Sequence, residues 1–213
     1  MATYDLEEQE KLDELKAWWK RWGNLTTIVV AGVLFAAAGY EYWKNHTAKQ
    51  GAEAAAFFDR MQQALQAGDK KLAKETGATL IDKFADTPYA TRAAMTLATL
   101  NARDRDVKSA KAQLEWTIEH TKEAALKDVS RLRLAGLLLD EKQYDAALAQ
   151  LNAAHTDAYG PRFDDLKGDV YLAQGKNEEA RAAYSAAYAK LKETSPLRGV
   201  VEMKLDSLGG PKS

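Results

Sequence analysis

Two hydrophobic patterns divide the chain. From Trp22 to Tyr40 the sequence reads WGNLTTIVVAGVLFAAAGY and carries no charged side chain. At about 1.5 Å rise per residue a helix over this stretch is roughly 28 Å long, close to the ~30 Å of a bilayer core. Lys20 and Arg21 close it on one side, Glu41 and Lys44 on the other. Trp18, Trp19 and Trp22 crowd one end and Tyr40, Tyr42 and Trp43 the other, the aromatic belts of a membrane anchor. Beyond Lys49 the period changes. Four segments share one plan: a helix, a turn rich in Gly, Asp, Asn or Gln, then a second helix entered through a small residue.

The four units align on LQAGDKKLAKE, NARDRDVKSAKAQ, LDEKQYDAALAQ and LAQGKNEEARAAY. Their pivot alanines Ala73, Ala110, Ala147 and Ala180 are spaced 37, 37 and 33 residues apart. Twelve residues before each pivot stand Met61, Ala98, Ala135 and Gly168, and four after stand Gly77, Leu114, Leu151 and Tyr184. Small residues at the first and pivot positions let two antiparallel helices approach, and a bulky residue after them fills the gap. This is the spacing of a tetratricopeptide repeat. The match is fullest in the last unit and poorest in the first two, where the aromatic position holds Gly77 and Leu114. After Pro196, LRGVVEMKLDSL predicts a helix that caps the last unit.

The fold class expected is therefore all-α: one N-terminal transmembrane helix, a tetratricopeptide-like solenoid of about four hairpins, and a C-terminal capping helix. The divisions are a juxtamembrane segment over 1–21, a transmembrane signal anchor over 22–43, a linker over 44–50, the repeat domain over 51–208 and a flexible tail over 209–213. In the first segment Leu12, Leu15, Trp19 and Trp22 fall at helical spacing, which suits an interfacial helix, a partner contact or a solvated extension equally. Gly23-Asn24 is a candidate break between that helix and the span. Lys11, Lys16, Lys20 and Arg21 precede the span, against Lys44 and Lys49 after it, which favours the N-terminus inside and the C-terminus outside. Ala36-Ala37-Ala38 offers a cleavage site for a signal peptide, but the long acidic segment before the span and the aromatics after it favour an uncleaved anchor.

Composition narrows the chemistry. The 213 residues carry net charge −1, so no global field favours nucleic acid. There is no cysteine, hence no thiolate site or disulfide. A mean hydropathy of −0.46 is too polar for several spans. His46, His120 and His155 lack neighbours at metal-ligand spacing and read as surface residues. No phosphate loop, nucleophile elbow or acid–base pair is present. The expectation is a protein without catalytic, cofactor or metal site.

What remains is surface. In the repeat register, one face of each first helix lines a concave groove, and Phe58, Gln62, Arg92, Met95, Thr99, Arg103, Leu132, Leu139, Asp165 and Asp169 fall there. Arginines towards the first half and aspartates towards the last make it electrostatically two-ended, suited to an extended or helical segment of another protein. The alternative is that Phe58, Met95 and Leu132 are core and the charges are solvation.

The order EEQEKLDELKAWWKRWGN, one span, YEYWK and a divergent repeat domain resembles the YfgM-type ancillary translocon subunit family. The residues that carry the likeness are Glu8, Gln9, Leu15, Lys16, Trp18, Trp19, Gly23, Tyr42 and Trp43. The resemblance implies a bacterial inner-membrane protein, single-pass, with a cytoplasmic N-terminus and periplasmic repeats. It implies the SecYEG translocon and the membrane-anchored chaperone PpiD as partners, with emerging secretory chains as possible clients, and no catalytic residues. Two other readings share the architecture: an envelope assembly or division scaffold with one stable partner, and a regulator acting through the N-terminal tail.

Overall fold

The computed structural model describes the backbone of residues 2–209 and the side chains from residue 8 onward. Among the described residues the regular structure is entirely helical: α1 (Ala2–Gln66), α2 (Lys70–Lys83), α3 (Pro88–Arg103), α4 (Val107–His120), α5 (Ala124–Asp140), α6 (Tyr144–Leu151), α7 (Gly160–Ala173), α8 (Asn177–Lys190) and α9 (Pro196–Ser207). The chain packs as two units, Met1–Ala52 and Glu53–Ser213. The expected tail lies outside the described residues from position 210.

The first unit consists of the N-terminal portion of α1. Its apolar side chains have no protein core to enter: Leu34 is 64% and Phe35 80% exposed. Such a surface is stable only in an apolar solvent, and α1 is the one described helix long and apolar enough to cross a membrane. Trp18 and Trp19 pair at 6.2 Å and Tyr40 and Trp43 at 6.4 Å, and all six belt aromatics are exposed. The expected break at Gly23-Asn24 is absent, and α1 runs through it. Gly23 lies under the Trp19 indole, which a Cβ would meet at 3.1 Å, and Thr27 Oγ1 donates to its carbonyl at 2.8 Å. One glycine costs a helix only about 1 kcal/mol, too little to interrupt a long apolar run. Residues 44–50, expected as a linker, are likewise helical. They contain no Gly or Pro, and Thr47 Oγ1 donates to the Trp43 carbonyl.

In the second unit the end of α1 pairs with α2, and α3/α4, α5/α6 and α7/α8 follow as hairpins, with α9 against α8. The four pivot alanines are fully buried, and Met61, Ala98 and Ala135 are at most 3% exposed. Leu114, Leu151 and Tyr184 are buried after the pivots as the repeat register predicts. Gly77, which breaks that pattern, is compensated from the next hairpin. Leu97 of α3 occupies the space where its side chain would stand, 3.0 Å from the Cβ position.

Every hairpin turn uses the same backbone device. Five residues before each pivot stand Gly68, Arg105, Lys142 and Gly175, all left-handed with φ between 60° and 75°. The following amide donates back over the turn, Asp69 to Ala64, Asp106 to Asn101, Gln143 to Leu138 and Lys176 to Tyr171, at 2.8–2.9 Å. This is a Schellman closure, which satisfies carbonyls left open at the helix end. Asp69 and Asp106 then accept from the Leu72 and Ser109 amides and cap the second helix. Arg105 and Lys142 hold the left-handed conformation against their Cβ atoms. Arg105→Gly and Lys142→Gly are each expected to raise stability by about 0.5–1 kcal/mol, and the thermal midpoint by about 1–4 °C. A lower midpoint in both variants would show that these turns are not under strain.

Neighbouring hairpins are also stapled by charge. Lys74, one residue after its pivot, and Lys70 hold Asp104 at the α3–α4 turn, both at 2.8 Å. Those two ammonium donors keep the Asp104 carboxyl at about 2. Lys111, one residue after the next pivot, pairs with Glu141 at the α5–α6 turn. The third hairpin departs from the plan because α6 is short, and Asp128 of α5 takes over. Its buried carboxylate accepts from the amide and hydroxyl of Thr156, at 3.0 and 2.7 Å, and so pins the loop before α7.

Candidate protein-binding groove

All ten candidate groove residues fall on the first helix of a hairpin: Phe58 and Gln62 on α1, Arg92, Met95, Thr99 and Arg103 on α3, Leu132 and Leu139 on α5, Asp165 and Asp169 on α7. They do not form one surface. The four on α3 line a cavity of about 640 Å³, completed by Leu65, Lys70, Thr96, Leu100, Leu126 and Arg133 among others. Thr99, Arg103 and Arg133 also line a second cavity of about 460 Å³ with Ala98, Gly136, Leu137 and Asp140. The helical period explains the set. Residues 92, 95, 99 and 103 step by three and four and stand on one face of α3.

Phe58 belongs to the core of the first hairpins, half-buried against Tyr89 with ring centroids 5.6 Å apart. Gln62 is exposed but does not line either cavity. Leu132 and Leu139 pack half-buried on the middle core cluster, again outside both cavities. Met95 is floor and core at once, 8% exposed, with Ser130 Oγ 3.0 Å from its sulfur. His155 corrects the surface assignment. It is half-buried and stacked on fully buried Phe163 at 4.1 Å.

The expected acidic end is occupied from within. Lys204 of α9 lies 2.7 Å from Asp165 Oδ1 and 2.7 Å from Asp169 Oδ1. The Tyr184 hydroxyl donates to the same Asp169 oxygen at 2.7 Å. Burial pushes the Asp165 carboxyl up, with Asp169 adding to it, against the pull of Lys204. Burial pulls the Lys204 ammonium down, but the two carboxylates outweigh it and hold it above its ordinary value. Burial therefore sets the direction at Asp165, and the two carboxylates set it at Lys204. On the alkaline side the Lys204 contribution is fully present below the ordinary lysine value of 10.5 and is lost as pH rises through the raised one, and on the acid side the latch opens once the carboxylates protonate. Wild type is expected to melt above Lys204→Gln at neutral pH, with the gap closing above about pH 10.5. A gap that is constant with pH would contradict the latch.

The residues that sequence reasoning missed are Arg133, Lys70 and Lys204. Arg133 is legible in hindsight, one residue past Leu132 on the same first helix, its Nη1 donating to Thr99 Oγ1 at 3.0 Å. Lys204 is not, because its partners depend on how α9 lies over α7.

A solenoid of helical hairpins with one membrane-spanning candidate helix defines a class, the tetratricopeptide-like single-span proteins. The family described as "Tetratricopeptide repeat-like domain" matches residues 16–210. The chain is 33% identical to a Neisseria gonorrhoeae protein named "Ancillary SecYEG translocon subunit", over 98% of this chain and 100% of the relative. Proteins of the same name from Haemophilus influenzae and Escherichia coli are 28% and 26% identical, over 97% and 98% of this chain and 100% and 99% of theirs. The chain belongs to the YfgM-type ancillary SecYEG translocon subunit family.

Proposed function

We propose that the protein is a non-enzymatic adaptor of the secretion translocon, anchored in the inner membrane by α1 with its repeats in the periplasm. The observation that carries this reading is the pairing of one uncharged, mostly apolar helix segment that enters no protein core with a repeat domain, in a chain collinear with the named translocon subunits. Four lysines and arginines before the span against two after it support the inward N-terminus. Physically, the anchor confines the repeats beside the pore and raises their effective concentration towards emerging chains and neighbouring chaperones of the PpiD type. Weak, transient holding suits that role, because a client must leave as readily as it arrives.

Purification of the tagged full-length chain in mild detergent tests the reading. SecYEG is expected among the recovered proteins. Recovery of a single stoichiometric soluble partner without SecYEG would overturn it in favour of an envelope scaffold.

A further inference from the structure

The two cavities on α3 and α5 adjoin along Thr99, Arg103 and Arg133, which line both, and together make up the groove. Its charge is mostly basic: Lys70, Arg92, Arg103 and Arg133 stand along it, and Asp140 at the α5 end is the single acid among its lining residues. This is not a consequence of composition, since the chain as a whole carries −1. It is neutralised internally only in part. Lys70 and Arg92 each hold one carboxylate from outside the lining, Asp104 and Glu123. Among the described residues Arg103 has no carboxylate partner, and Arg133 meets only the neutral Thr99 hydroxyl. Between the cations the floor is apolar, built from Met95, Leu100, Leu126 and Leu137. The other end of the repeat array shows the opposite state, its aspartates already filled by Lys204. The protein closes its acidic site from within and leaves the basic one open.

We propose that this groove takes an acidic segment of a partner protein, one that places two carboxylates on Arg103 and Arg133 and apolar side chains on the floor between. Bidentate arginine–carboxylate pairs supply orientation, and the Met–Leu floor supplies sequence-tolerant affinity. The floor argues for a polypeptide over a nucleic acid, because no aromatic platform for base stacking lines the groove. The proposal rests on the adaptor reading and names the chemistry of what the adaptor holds.

The test uses the full-length chain in nanodiscs of neutral lipid. The probes are a fluorescent 14-residue peptide alternating glutamate and leucine pairs, its glutamine counterpart and its lysine counterpart. The glutamate peptide is expected to bind at least tenfold more tightly than the glutamine peptide, with the advantage shrinking as salt is raised. Arg103→Glu/Arg133→Glu is expected to lose the glutamate peptide and gain the lysine peptide. A wild-type-like helical spectrum and thermal midpoint of the variant are measured alongside, so that the gain reports the groove and not an unfolded acidic chain. Equal binding of glutamate and glutamine peptides, no exchange of preference in the variant, or displacement of the bound peptide by phosphatidylglycerol vesicles would overturn the proposal. The adaptor reading is judged separately. SecYEG recovery with no peptide discrimination sinks only the groove, and peptide discrimination without SecYEG sinks only the translocon assignment.

Discussion

Gly168→Ala is expected to destabilise the repeat domain by about 2–3 kcal/mol and lower its thermal midpoint by roughly 5–10 °C. In most helix interiors the same change stabilises, since alanine is the better helix former by roughly 0.5–1 kcal/mol. Here a Cβ would stand 2.3 Å from Tyr184 Cε1, far inside contact distance. The ring cannot step aside, because Tyr184 is fully buried and its hydroxyl is bonded to Asp169 under the Lys204 latch. Relief therefore requires α7 and α8 to separate, which opens the hairpin they form. Gly199→Ala provides the internal contrast, because nothing lies within 4 Å of its Cβ position on α9. That variant is expected to gain about 0.5–1 kcal/mol. A Gly168→Ala protein as stable as wild type would mean that the fourth hairpin does not close on a glycine.

Val30→Arg together with Leu34→Arg is expected to abolish membrane integration. Each arginine costs about 2.5–3.5 kcal/mol at the centre of a span, and the two sit mid-way along the uncharged stretch. Wild type is expected in the pellet after alkaline extraction, and the double variant in the supernatant. Both side chains are exposed and belong to no core cluster, so the repeat domain should keep its helical content. A double variant that stays in the pellet would show that something other than residues 22–43 anchors the chain.

What the sequence made legible follows from how few residue types suit each position. Only a small side chain lets two helix axes meet, so the alanine spacing announced the pivots, and all four are buried. A conformation that other residues can adopt at a modest cost left a weaker mark. The left-handed position reads as glycine at 68 and 175, but Arg105 and Lys142 conceal it in between. Compensation from outside a repeat was invisible: Gly77 reads as a degenerate unit until Leu97 is seen filling its place. The break expected at Gly23 failed because local propensity is worth about 1 kcal/mol, and the Trp19 ring covers the glycine.

The groove was half legible for the same reason. The α3 residues share one helical face, which periodicity reports, and they meet at one cavity. Asp165 and Asp169 lie on the equivalent face of α7, but the side chain that answers them arrives from α9, with 35 residues separating Asp169 from Lys204. Inter-hairpin staples show the middle case. Lys74 and Lys111 each follow a pivot by one residue, and Asp104 and Glu141 each end a first helix, so the spacing was present to be read. Leu148 and Gln174 hold those positions in the third interface and interrupt the rule.

Whether the span holds the repeats beside the secretion channel is decided by photo-crosslinking in living cells. A photoreactive residue replaces exposed Ile28 on the candidate span, and in a separate strain Thr96 at the groove. A translocon subunit is expected crosslinked from position 28, and from position 96 secretory chains or a periplasmic chaperone. Crosslinks from both positions that contain neither translocon subunits nor secretory proteins would contradict that placement.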